Sequence, residues 1–373
     1  MKFKEAFISS LILLMPAGFV YGDGHSAKSG TQKIERTIAA DPVVTVSLCV
    51  DSGDVTVRGW DKNEILARSS EVGRIELKRV RGGDPLSPAT KILVWLADKD
   101  EGGVEKGGCH AFGDVELMVP RGAYLHLQTG DGMIDVADVA SVFARAETGD
   151  ISIQRASRSV EAVSFSGEIA VENSSGRMAM KSVSGVIHAN KLRPNDQNDC
   201  FEASTISGDI QLDQVAHQQV TVKSANGKVD FSGPLAPQGQ YTLNTTSSDV
   251  TLTLPTNSSF RLNARVARDR EVTSDFPLTL TIEDPEHVIA RKPNQVTPVI
   301  EPTAEAKEDK DPEDRKDPVA VMVDPQKKVI KVKPVVVKTI YSLRRISAVH
   351  GSGDALITMA SFSGTIHLEE SEN

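Results

Sequence analysis

Apolar and polar residues alternate with a period of two along most of this chain, and glycines interrupt the alternation at regular intervals. Apolar residues stand two and four positions after each glycine, as Ile151 and Ile153 do after Gly149. A second apolar pair stands seven and five positions before it, as Val142 and Ala144 do. Because side chains two residues apart point to the same face of a β-strand, each unit is predicted to be a strand, a glycine turn and a second strand that share one core.

The repeated glycines are spaced like the coils of a β-solenoid. They lie roughly 17 to 23 residues apart, which is the length of one such coil. The series comprises Gly132, Gly149, Gly167, Gly185, Gly208 and Gly227. Helical periodicity is hard to find beside it. The pattern therefore predicts an all-β protein, a parallel β-solenoid (β-helix-like) with roughly 18-residue coils, preceded by a short β-rich N-terminal region.

Small residues occupy a fixed place near each turn, three positions before the glycine. We expect each glycine to adopt a positive φ, and the hydroxyls of the small residues to bond to one another or to turn amides. Bulky side chains would not fit in such a column. Its members are Thr129, Ala146, Ser164, Ser182, Thr205, Ser224 and, before the glycine-free turn at Ser248, Thr245.

An acidic residue follows several of the glycines and is the most tempting sign of a site. Carboxylates in neighbouring coils would lie about 5 Å apart, where a cation could bridge them. Val186 and Lys228 interrupt the column, and we interpret its members as turn residues that bond nearby amides; calcium binding is the alternative. The acidic residues are Asp54, Asp150, Glu168, Asp209 and Asp354.

The two ends of the chain differ in composition from the repeats. Lys2 and Lys4 precede an apolar run that is short for a bilayer span, so residues 1–22 are predicted to be a signal peptide, with a retained membrane anchor as the alternative. Residues 33–122 are predicted to form the β-rich N-terminal region and residues 123–280 the solenoid repeats. Residues 281–318, rich in Pro, Glu, Asp and Lys, are predicted to be a disordered charged insertion. Residues 319–373 are predicted to hold a hairpin, at 319–332, and closing repeats at Gly353 and Gly364.

Export would place the three cysteines in an oxidising compartment. Cys49 and Cys109 could then pair and leave Cys200 alone, although three unpaired thiols are an equal alternative because spacing does not fix connectivity. The chain carries 42 basic and 51 acidic residues, and this balance offers no broad basic field for nucleic acid or anionic lipid.

No catalytic, cofactor-binding or metal-binding residue is predicted. The Ser-Gly-Asp triplets lack a G-x-S-x-G elbow and a partnered histidine. His188 and His367 share an outward offset but come from distant coils, which disfavours a metal pair. A β-helix enzyme that cuts acidic polysaccharides would need clustered carboxylates, Arg or Lys on one outer face. The outward positions that argue against such a cluster are Ser152, Ala170, Ala179, Gln211 and Asp230.

Three features carry a resemblance to a known family: the segment DSGDVTVRGWD at 51–61, the segment VELMVPRGA at 115–123 that leads into the first repeat, and the Ser-Gly-Asp-Ile series after it. With them the chain resembles a bacterial domain-of-unknown-function family of β-strand-repeat proteins that carry the label adhesin. The resemblance covers residues 43–280 and resumes at Gly351; the long charged insertion and the weakened motif around Ser248 depart from the family pattern. It implies a right-handed, exported β-solenoid with no catalytic residues to carry over.

The first functional hypothesis is an exported, non-enzymatic β-solenoid of the bacterial cell envelope, periplasmic or extracellular. Its outer surface would bind an unknown macromolecule, either protein or polysaccharide, as an adhesin-like module. No cofactor, no nucleic acid and no integral membrane segment after signal cleavage are expected. The alternatives are a polysaccharide-active β-helix enzyme and a structural assembly module whose open sheet edges engage other chains.

Overall fold

The computed structural model of the chain describes residues 34–69, 74–80, 87–99, 105–283 and 343–371. The predicted signal peptide, most of the predicted charged insertion and the predicted hairpin at 319–332 lie outside these residues. The described part is built from β-strands, with one short 3-10 helix at Gly108–His110. The all-β prediction is therefore confirmed.

Strands fill almost the whole described chain. The N-terminal strands are β1 (Ile34–Ser52), β2 (Val55–Trp60), β3 (Glu64–Ser69), β4 (Arg74–Arg79), β5 (Ala89–Lys99), β6 (Glu105–Gly107) and β7 (Val115–Pro120). The strands of the repeats are β8 (Tyr124–Asp131), β9 (Ile134–Ala137), β10 (Ser141–Thr148), β11 (Ile151–Gln154), β12 (Ser159–Ser166), β13 (Ile169–Glu172), β14 (Arg177–Ser182), β15 (Ile187–Leu192), β16 (Cys200–Thr205), β17 (Ile210–Val215), β18 (Gln219–Ser224), β19 (Val229–Ser232), β20 (Gln240–Thr245) and β21 (Val250–Leu254). The C-terminal strands are β22 (Phe260–Ala267), β23 (Val272–Ser274), β24 (Thr279–Glu283), β25 (Leu343–His350), β26 (Ala355–Ser361) and β27 (Ile366–Glu370).

Each repeat gives one strand to each of two parallel stacks, as a β-solenoid requires. We call sheet I the stack of β8, β10, β12, β14, β16, β18 and β20, and sheet II the stack of β9, β11, β13, β15, β17, β19 and β21. The register follows the repeat: Val142 pairs with Leu125 on one side and with Val160 on the other. The solenoid prediction is confirmed.

The inward side chains of both sheets form one continuous core. Ile151 and Ile153 of sheet II and Val142 and Ala144 of sheet I are all buried in the same cluster. Because both sheets turn their apolar positions toward this shared core, their outer faces point away from each other. Any ligand that binds the sheets therefore meets side chains at the alternate, outward positions.

The N-terminal strands extend the same stack. β1 pairs in parallel with β8, and β2 pairs in parallel with β9. β5 and β7 continue the two sheets beyond β1 and β2. A disulfide between Cys49 and Cys109 ties β1 to the 3-10 helix, and Cys200 is a free cysteine. Of the two alternatives open at the level of sequence, the structure has the paired one.

The last coil of the chain lies inside the stack rather than closing it. β26 pairs in parallel with β20 on one side and with β22 on the other. β27 lies in the same way between β21 and β23. The coil that begins at Phe260 is therefore displaced outward, and β25 and β24 pair beyond β22 as antiparallel strands.

The turn glycines are needed mainly because successive turns approach each other closely. A Cβ on Gly208 would lie well inside van der Waals contact of the carbonyl oxygen of Gly185, one coil away. Gly132 does have the expected positive φ, at 130°. The prediction of a positive φ is wrong for four other turn glycines, which are Gly149, Gly185, Gly208 and Gly227. What the repeat needs there is a residue without a side chain.

Hydroxyls of the small-residue column tie several turns to the preceding one, although Ser182 Oγ is buried without a partner among the described residues. Thr245 Oγ1 donates to the carbonyl of Gly227 at 2.8 Å, and Ser224 Oγ donates to the carbonyl of Gly208 at 3.1 Å. Ser224 Oγ also accepts from the amide of Gly227 at 2.8 Å. The expected bond to a turn amide thus exists, and bonds to turn carbonyls of the neighbouring coil accompany it.

The acidic residues after the glycines also link coils. In three of the five a carboxylate oxygen accepts a hydrogen bond at 2.8 Å from the amide of the equivalent residue in the next coil. This confirms the turn interpretation for Asp54, Asp150 and Asp209. Glu168 and Asp354 do not follow the pattern. The Glu168 carboxylate lies 3.6 Å from His188 Nε2, and the amide of Asp354 donates to Ser259 Oγ at 3.3 Å.

Candidate functional site

The outer face of sheet II carries a shallow polar groove with a volume of about 660 Å³. It crosses β13, β15, β17, β19 and β21, and it is lined by outward side chains that occupy equivalent positions in successive coils. One row consists of Ala170, His188, Gln211, Asp230 and Thr251. The second row consists of Glu172, Asn190, Asp213, Ser232 and Thr253. We call these two rows, with Glu168 at their edge, the polar groove.

The alternation of each strand places these side chains outward. In β17, Ile210 and Leu212 are buried in the core, so Gln211 and Asp213 must face away from it. Parallel pairing in register then aligns each outward residue with its equivalents, as His188 pairs with Gln211. Neighbouring rungs lie about 4.8 Å apart, which makes the groove a ladder of polar groups along the solenoid axis.

Two contacts orient side chains within the groove. Asn190 Nδ2 donates to Asp213 Oδ2 at 2.8 Å. His188 Nε2 lies 3.6 Å from Glu168 Oε1, and these side chains are 38% and 50% exposed. Both pairs keep free hydrogen-bonding capacity toward solvent, because an amide group and a carboxylate can each form several hydrogen bonds.

The lining favours neutral or cationic groups over anions. Its carboxylates are Glu168, Glu172, Asp213 and Asp230, and neither Lys nor Arg is among the lining residues. Among the residues that the structure describes, no group of three or more His, Cys, Asp or Glu side chains is placed to hold a metal ion. The groove can therefore accept hydrogen bonds from hydroxyl, amide or ammonium groups of a ligand.

Several outward residues singled out in the sequence meet in this groove. Ala170, Gln211 and Asp230 share its first row, and Ser152 continues that row one coil earlier. Ala179 lies on β14 of sheet I, on the other face of the protein.

The two histidines with the shared offset do not meet. His367 is in the same row as His188 but at its far end, where its Nδ1 lies 2.9 Å from Thr273 Oγ1. The sequence reasoning missed the second row, which contains Asn190 and Asp213. Reading two positions further along each strand, five after the glycine, would have revealed it.

A buried histidine lies apart from the groove, in the loop between β17 and β18. His217 is fully buried, and its Nε2 lies 2.7 Å from the carbonyl oxygen of Gly176, so Nε2 carries the proton of the neutral ring. Its Nδ1 is buried with no partner among the described residues. Burial lowers the pKa of His217, while the Gly176 carbonyl and the Asp199 charge oppose this effect. Protonation would leave the new N–H of Nδ1 without an acceptor.

His217 should make the protein less stable in acid. The ordinary pKa of 6.5 applies to the unfolded chain and the folded pKa is lower, so below that pH the unfolded chain binds a proton that the folded chain does not. We expect the free energy of unfolding to fall as the pH is lowered through the unfolded pKa of about 6.5 toward the lower folded pKa. In His217→Gln this part of the loss should disappear. Urea unfolding of both proteins at each pH measures it, and parallel pH profiles would contradict the assignment.

Three solved structures are similar to this chain, and the names of all three refer to adhesion. A "putative adhesin" from Parabacteroides distasonis is 9% identical with a TM-score of 0.34, over 60% of this chain and 90% of that chain. A second, from Parabacteroides merdae, is 11% identical with a TM-score of 0.29 over the same shares. A "putative cell adhesion protein" from Clostridium sporogenes is 8% identical with a TM-score of 0.19, over 91% of this chain and 100% of that chain.

Two further findings complete the comparison. No curated protein matches the chain, and in the described ranges no helix has the length and apolar character to cross a membrane. The family model described as Toastrack DUF4097 matches residues 17–371. Because this match spans nearly the whole chain, the protein belongs to the Toastrack family, DUF4097.

Proposed function

We propose that the protein is an exported, non-enzymatic binding module of the bacterial cell envelope that holds a polysaccharide chain in the polar groove. The observation that carries the proposal is the continuity of the groove over five successive strands of sheet II. A linear polymer can meet the same kind of hydrogen-bonding group on each rung. Many weak contacts along one chain then add up to useful affinity.

The composition of the groove supports a neutral or amino-bearing sugar polymer. Gln211, Asn190 and Thr251 can both donate and accept hydrogen bonds, and Asp213 and Asp230 can accept bonds from sugar hydroxyls. A polyanion would be repelled by the carboxylates.

Two features support a binding role in an exported protein. The groove is open and its His188 and Glu168 side chains are half-exposed, whereas enzymes commonly exclude water from their reacting groups. The disulfide between Cys49 and Cys109 fits an oxidising compartment outside the cytoplasm.

A glycan-binding screen of the mature protein tests the proposal. We expect binding to a neutral or amino-bearing polysaccharide, and a loss of affinity of about 10-fold or more in the double variant Asn190→Ala/Gln211→Ala, because each lost hydrogen bond costs about 1 kcal/mol. The matched control is Glu202→Ala/Thr221→Ala, at outward positions of sheet I. Equal losses in both variants, or no glycan bound, would rule out the groove as the site. Release of reducing sugars would instead indicate an enzyme.

A further inference from the structure

The outer face of sheet I becomes basic toward the C-terminal end of the stack. The order of strands there is β18, β20, β26, β22 and β25. Four basic residues occupy outward positions on these strands and are exposed. They are Lys223 on β18, Arg261 and Arg265 on β22, and Arg345 on β25, and we call them the basic patch.

The outward side chains between these basic residues are uncharged. Asn263 pairs with Ser347 across β22 and β25, and Ser347 Oγ donates to Asn263 Oδ1 at 3.4 Å. Thr358 lies beside Asn263 on β26. No Asp or Glu occupies an outward position of these five strands. On the neighbouring strands, β16 carries Glu202, and β24 carries Glu283 in register with Arg345. The chain as a whole has a net charge of −9, so the patch is a local reversal of sign.

Two of the arginines stand directly opposite each other. Arg265 and Arg345 are partners in the antiparallel pair of β22 and β25. Side chains at such positions have Cβ atoms about 5 Å apart, where like charges destabilise the sheet. Within the described ranges neither guanidinium has an ion-pair partner. On its other side Arg345 is in register with Glu283, whereas Arg265 is in register with Ala360. A bound anion would offset the repulsion at Arg265.

We infer that the basic patch binds a polysaccharide that carries carboxylate groups. Each guanidinium can hold a carboxylate through two parallel hydrogen bonds. The hydroxyl and amide groups of Ser347, Thr358 and Asn263 lie between the arginines and can bond to sugar hydroxyls. The outward positions of these strands carry no aromatic side chain on which nucleic acid bases could stack. The partner differs in charge from the one proposed for the polar groove, and it binds the opposite face.

Binding of polygalacturonate to the mature protein tests this inference. We expect binding that weakens as salt is added, and that falls by about 10-fold or more in Arg265→Gln/Arg345→Gln, because two charge-assisted contacts are lost. The matched control is Arg145→Gln/Arg177→Gln, which removes two exposed arginines of sheet I outside the patch. The control should retain the affinity of the wild type.

A second readout separates loss of the site from loss of the fold. Without ligand, Arg265→Gln/Arg345→Gln should still unfold in the same cooperative transition. The thermal midpoint of Arg265→Gln alone should equal or exceed that of the wild type, because this change removes the like-charged pair and leaves Arg345 in register with Glu283. A lower midpoint would overturn the argument from repulsion. Absence of polygalacturonate binding, an equal loss in both double variants, or tighter binding to duplex DNA or to phosphatidylglycerol vesicles would overturn the inference.

Discussion

Gly208→Val will cost the protein at least about 3 kcal/mol of stability, the upper range for overpacking a tightly packed site. A Cβ at this position would collide with the backbone carbonyl of Gly185 in the adjacent coil, and a backbone group cannot rotate away as a flexible side chain can. The two turns would have to separate. That would strain the neighbouring hydrogen bonds, including the one from Thr205 Oγ1 to the carbonyl of Gly185 at 3.3 Å.

Thermal and urea unfolding followed by circular dichroism measure the effect. Because coils of a solenoid contact only their neighbours, a broken interface should also divide one unfolding transition into two. The matched control is Ser207→Val, which adds a similar side chain to an exposed turn position one residue earlier. If both variants unfold like the wild type, close approach is not the reason for glycine at position 208.

Removal of the disulfide with Cys49→Ser/Cys109→Ser will cost about 4 kcal/mol, because the bond closes a long loop and restricts the unfolded chain. The two cysteines are 60 residues apart in sequence. The loop contains β2 to β6, so the bond fastens the N-terminal end of the stack to β1. Reduction by a thiol should have the same effect on the wild type.

Urea unfolding with and without reductant measures this difference, and a thiol titration counts the free cysteines. Cys200→Ser is the control, since Cys200 forms no disulfide and its loss should change stability little. One reactive thiol in the unfolded, unreduced wild type would agree with the structure. Three would contradict the bond, and so would a stability that reductant leaves unchanged.

The repeat could be predicted from sequence because its signals are local. Alternation fixes which side chains of a strand face the core, as Ile210 and Leu212 do, and the glycine fixes where the strand ends. The physical reason why the turn requires glycine could not be predicted from the sequence. Both a positive φ and a close approach favour glycine. The neighbouring coil approaches Gly132 and Gly208 alike, and only the backbone φ, which is positive at Gly132, distinguishes the two.

The surfaces could be predicted only in part. Outward positions follow from alternation, so the sequence places Gln211 and Asp230 on the outer face of their strands, as the structure does. Their assembly into a groove depends on register between strands that are far apart in sequence. Asn190 and Asp213, which share a hydrogen bond, are separated by a polar insert that hides their equivalence.

The sequence by itself determined the coil: its period, its core residues and the small column beside its turn. The tertiary structure alone decided the order of the coils at the C-terminal end. Every coil presents similar apolar core residues and similar strand-edge backbone groups to the next coil. No local signal in the sequence therefore specifies that β26 lies between β20 and β22. That order brings Lys223, Arg265 and Arg345 onto one face. Chain segments distant in sequence thus form a basic surface, which the net negative charge of the chain does not indicate.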